Sequence, residues 1–120
     1  MQTIIAILVA LVAIEHLFFL VLEMFLWTMP AGRRIFGLTE QFAADSKALA
    51  ANQGLYNGFL AAGLLWSLVQ TDAGFAHQLQ LFFLGCVLVA GLYGAYSVKR
   101  AILFIQGGPA LLALLLILFQ

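Results

Sequence analysis

The chain has 120 residues, 65% of them hydrophobic and 8% charged, with a formal net charge of zero and a mean hydropathy of +1.11. Soluble domains are about one-quarter charged, so these polar groups are too few to cover a water-exposed surface, and the composition excludes an ordinary soluble domain. Zero net charge also excludes the basic surface that a nucleic-acid partner requires.

The first predicted helix covers residues 3–27. It lacks the positive n-region of a signal peptide and is expected to be retained. It is long enough to span a bilayer, yet it carries Glu15, His16 and Glu23. With Glu15 as the origin of a helical wheel, Glu23 falls at about 80° and His16 at about 100°, so the three ionisable groups share one arc. A carboxylate at the bilayer centre costs about 2.5–3.5 kcal/mol on insertion scales, so these acids must be protonated, paired or hydrated. Trp27 is placed for a membrane interface, and Pro30 stops the helix because it has no amide to donate.

Residues 30–47 form the one sizeable polar connection. Arg33, Arg34 and Lys47 alternate with Ile35, Phe36, Leu38 and Phe42, which suits either a short interfacial segment or a loop with a few anchors. The second helix is expected over residues 48–69, with Asp45 or Ser46 as its N-cap. With Asn52 as origin, Tyr56 lies at about 40°, Gln53 at about 100° and Asn57 at about 140°, one broad polar stripe. Gly54 falls at about 200°, Gly58 at about 240° and Ala62 at about 280°, a small-residue ridge of the kind that lets helices approach closely. Gly91 and Ala95 repeat that spacing in the third helix, residues 75–98, which follows a tight turn at residues 70–74. Tyr93 and Tyr96 lie near its end. Cys86 has no disulfide partner and no metal-ligand spacing and reads as a small hydrophobe. Glu15, His16 and Glu23 could supply metal ligands, but residues 15 and 16 diverge by about 100° and would need ligands from other helices, so no metal site is expected. The fourth helix, residues 101–119, contains Gln106 and then Gly107-Gly108-Pro109, where the proline should bend it.

These elements predict an all-α, polytopic membrane protein: one domain, residues 1–120, with four transmembrane helices in a bundle. All five basic residues lie in the first and third connections. By the positive-inside rule those connections (28–47 and 99–100) are cytoplasmic and both termini are outside. Glu23, Asn52, Gln53, Tyr56, Asn57, Tyr93, Tyr96 and Gln106 then lie within about 15 Å of the cytoplasmic ends of their helices. Glu15 and His16 lie deeper, and the outer halves are almost wholly apolar. The polar groups outline a pocket open to the cytoplasm. Glu15, His16 and Glu23 are candidates for acid–base work, and the remainder for orienting a small, partly apolar ligand or lipid. The competing roles are a proton-coupled transporter and a structural subunit held by polar contacts between helices. The partners expected are the bilayer, a small lipophilic ligand and further copies of the chain in a dimer or trimer. The identity of any cofactor stays open.

Three strings carry a family resemblance: Glu15-His16-Leu17-Phe18-Phe19 through Glu23-Met24-Phe25-Leu26-Trp27, Asn52-Gln53-Gly54-Leu55-Tyr56-Asn57-Gly58-Phe59, and Gln106-Gly107-Gly108-Pro109-Ala110. Together they resemble the domain of unknown function 1304 family, small bacterial membrane proteins with four predicted helices. The family's Gly-x-Tyr-Gly-x-x-Thr pattern stands here as Gly91-Leu92-Tyr93-Gly94-Ala95-Tyr96-Ser97, with serine keeping the hydroxyl. The resemblance implies the fold and placement in a bacterial inner membrane. It implies no reaction.

Overall fold

The computed structural model describes residues 1–119, and every regular element among them is helical: α1 (Gln2–Met24), α2 (Pro30–Phe36), α3 (Glu40–Val69), α4 (Ala73–Ser97), a π-helical turn (Leu103–Gly107) and α5 (Gly108–Leu118). Two compact units divide the chain. One is His16–Phe59, the other Met1–Glu15 with Leu60–Gln120.

Within His16–Phe59, α1 ends at Met24, short of the expected residue 27, and the chain turns through Leu26 and Met29. Pro30 then opens α2 instead of merely closing α1, because at the first helical position its missing amide has no acceptor to lose. Gly37 ends α2 with φ 67°, a left-handed conformation that glycine adopts without strain, and Leu38 N–H donates to the Arg33 carbonyl at 2.8 Å. Thr39 caps α3: its hydroxyl accepts from the Phe42 N–H at 3.2 Å. The second long helix therefore begins at Glu40, eight residues before the expected start at residue 48, and Asp45 and Ser46 lie inside it rather than at its cap. Charge marks where lipid contact is expected to begin, and a helix is free to start earlier.

Trp27 ties this unit together. Its indole N–H donates to Ser46 Oγ at 2.9 Å, its ring lies 4.9 Å from that of Phe36, and Ser46 Oγ donates in turn to the Phe42 carbonyl. Gly32 is buried against the turn after α1, and a Cβ there would run into the Leu26 carbonyl oxygen. At Gly54 a Cβ would lie 3.0 Å from Glu23 Cβ and 3.2 Å from the Leu20 carbonyl oxygen; at Gly58 it would lie 2.6 Å from Leu20 Cδ1. Both glycines are thus closed against α1, while Ala62 is exposed.

The other unit has an apolar core. Ile5, Val9, Val12 and Ala13 of α1, Leu64 of α3, Leu84 and Val87 of α4, and Ala110, Ala113 and Ile117 of α5 pack as one cluster. The Phe83 ring covers Gly63, and a Cβ on Gly91 would meet Gly107 Cα at 3.1 Å, so α4 passes close to the π turn. Ala95 is half-buried. Asp72 caps α4 by accepting from Phe75 N–H at 2.7 Å. The bend expected at Pro109 takes the form of the π turn just before it, the wider turn absorbing the break in the helical ladder.

Among the described residues α1 and α4 are long and apolar enough to cross a membrane by length and composition. Helix α3 has the length, but Asn52, Gln53 and Asn57 dilute its apolar run. The last apolar stretch, Leu103–Leu118, is shorter than a full span. Of the four spans expected, these two meet the measure.

Candidate functional site

Along α1 the arc that carries the acids splits between the two units. In His16–Phe59, the close approach at Gly54 brings α3 against the turn of α1 that carries Glu23. Asn57, three residues on, points its amide back: Nδ2 donates to Glu23 Oε2 at 2.7 Å, with Asn57 only 7% exposed. A hydrogen bond to a carboxylate is stronger than a neutral one, and a buried amide left without a partner would be penalised, so the pair fixes the two helices in register. His16 is fully buried, its ring nearly perpendicular to that of Phe19 with centroids 5.9 Å apart. Asn52, Gln53 and Tyr56 are exposed on α3, Tyr56 with its ring 5.7 Å from Phe59.

In the other unit, Glu15 is half-buried, and its Oε2 is fully buried with no hydrogen-bond partner among the described residues. Tyr93 and Tyr96 are 70% and 90% exposed, and Gln106 is half-buried within the π turn. Cys86 is a free, half-buried thiol. Among the described residues no three of His, Cys, Asp or Glu are grouped to hold a metal ion.

A polar cluster outside the expected pocket lies in this second unit. Gln2, Gln70, Thr71, His77 and Gln80 line a cleft of about 290 Å³ beside the start of α4. The signal was present in His77 and Gln80, three residues apart and so on one helix face; Gln80 stands out as a polar exception in an apolar half-helix, while His77 lies in a window marked by its lack of charge.

Two apolar helices of spanning length, large apolar side chains exposed along them, and a part-buried carboxylate–amide pair define a small helical-bundle protein suited to membrane association. The chain belongs to the family described as Protein of unknown function (DUF1304), which matches residues 10–118. It is also 34% identical over 107 residues to the uncharacterised protein YpaA of Lactococcus lactis subsp. lactis (strain IL1403), covering 88% of each chain. No solved structure matches it.

Proposed function

We propose that the protein crosses a bacterial inner membrane four times, with both termini outside, and that its cytoplasmic half binds a small, partly apolar ligand at Glu23. The observation that carries this reading is the Asn57–Glu23 hydrogen bond. It leaves the second carboxylate oxygen of Glu23, Oε1, without a hydrogen bond among the described residues, with Gln53 and Tyr56 exposed on the neighbouring turn of α3. A cationic or hydrogen-bonding head would be taken by the carboxylate, and an apolar tail would stay among the surrounding side chains. His16, buried about two turns away on α1, is the acid–base candidate. The one-sided placement of lysine and arginine supports the orientation.

Native mass spectrometry of protein released from its own membrane tests the reading. Wild type should retain a small molecule that Glu23→Gln loses, while both keep the same helix content. Identical bare protein from both would remove the ligand site and leave Glu23–Asn57 as a contact between helices. Orientation is tested separately by cysteines at positions 53 and 56 in a Cys86→Ala background, which should react with an impermeant thiol reagent from the cytoplasmic side alone.

One observation favours a second reading, proton-coupled transport. Glu15 Oε2 is buried without a hydrogen-bond partner among the described residues, and a carboxyl so placed in an apolar helix is suited to exchanging a proton. In that case Glu15→Gln abolishes pH-dependent flux while ligand retention at Glu23 persists.

A further inference from the structure

The π turn shapes a feature outside the Glu23 site. Leu92 of α4 faces Leu103, Phe104 and Leu111 across a groove of about 390 Å³, with Gly107 and Gly108 contributing no side chain to it, and every residue that lines it is apolar. A Cβ on Gly108 would meet nothing within 4 Å, so the glycine leaves open space that the fold does not need. The turn joining the two helices that make this groove carries Lys99 and Arg100, both exposed and without a side-chain hydrogen bond or ion pair among the described residues. Arg100 is three residues before Leu103, and Lys99 is seven after Leu92, about 10 Å along a helix. No aspartate or glutamate occurs anywhere in residues 73–120. Two uncompensated cations therefore stand at one end of an apolar groove.

We propose that this groove holds an acyl chain of an anionic phospholipid whose phosphate sits against Lys99 and Arg100. A long arginine or lysine side chain reaches a phosphate at the membrane surface while its stem stays among apolar groups. Charge decides the occupant: a zwitterionic lipid fills the groove equally well but brings a positive group toward the two cations. The inference goes beyond the Glu23 site and shares with that reading only the membrane placement.

The test is native mass spectrometry of the full chain after exchange into detergent containing equal amounts of phosphatidylglycerol and phosphatidylcholine with matched acyl chains. Wild type should retain phosphatidylglycerol preferentially. The double variant Lys99→Gln/Arg100→Gln should lose about 25-fold in that retention, about fivefold per cation, and fall to the level of phosphatidylcholine. Gly108→Leu fills the groove and should lower retention of both lipids, whereas Gly108→Ala leaves most of the groove open and should retain them; circular dichroism checks that both variants stay folded. Equal retention of the two lipids by wild type, or undiminished retention by folded Gly108→Leu, would overturn the proposal. Glu23→Gln should retain phosphatidylglycerol, so failure of the Glu23 site and failure of this one are read independently.

Discussion

His16–Phe59 and the remainder of the chain are held together by different means. The first is tied by directed contacts: the Asn57 amide on Glu23, the Trp27 indole on Ser46, the Thr39 cap, and backbones brought close at Gly32 and Gly54. The second is packed: Ile5, Val9, Val12, Leu64, Leu84 and Val87 fill a core with few polar contacts. In water the packed unit would be the stronger, because burial of apolar side chains drives folding. Among lipid tails that drive between helices is absent, and shape, close approach and hydrogen bonds decide. The unit with fewer apolar side chains in its core then has the more specified geometry, and it holds four of the polar stripe residues as well as Glu23.

The largest expected effect breaks the tied unit. Gly32→Ala places a methyl on the Leu26 carbonyl, a backbone group that cannot rotate away. The variant should lose about 3 kcal/mol or more, read as resistance to unfolding by sodium dodecyl sulfate followed by circular dichroism. A variant as resistant as wild type would mean that α2 does not sit against the turn after α1. The packed unit should respond less. Leu84→Ala opens a cavity at a fully buried position. If the unfolded helices remain in lipid, only the lost packing is felt, and the expected loss is about 2 kcal/mol, the low end of the range seen in water. A loss equal to that of Gly32→Ala would erase the contrast between the two units.

The helices were legible in the sequence because apolar runs without charge are long, and α4 begins and ends within two residues of the reading. The start of α3 was not, since Glu40 through Lys47 look like a connection by charge, and only Thr39 signals a cap. The face of α3 was harder. The wheel separates a polar stripe from a glycine ridge, and it is the ridge that closes on α1: Gly54 is buried, while Asn52, Gln53 and Tyr56 are exposed. Asn57 stands at the edge of the stripe nearest the ridge, and that position lets it reach Glu23. Polarity named the residues, and close backbone approach chose among them. The bond of Trp27 to Ser46 depends on the turn between α1 and α2, which no periodicity describes.

The smallest effect is the most discriminating, because it separates the bond between Glu23 and Asn57 from the charge that the bond holds. In a double-mutant cycle of Glu23→Ala and Asn57→Ala, the coupling should be about 0.6–1.7 kcal/mol, the range measured for hydrogen bonds between membrane helices. Glu23→Gln belongs beside the cycle. A glutamine carbonyl still accepts from Asn57 Nδ2, so the variant should stay within about 0.5 kcal/mol of wild type while losing whatever the carboxylate binds. If stability and ligand are lost together in Glu23→Gln, the charge itself holds α1 to α3 and the site is structural. If stability stays and the ligand goes, the tie serves to keep a carboxylate in place for something outside the chain. A coupling near zero would remove the pair from both roles and leave the close approach at Gly54 and Gly58 to hold α3 against this part of α1.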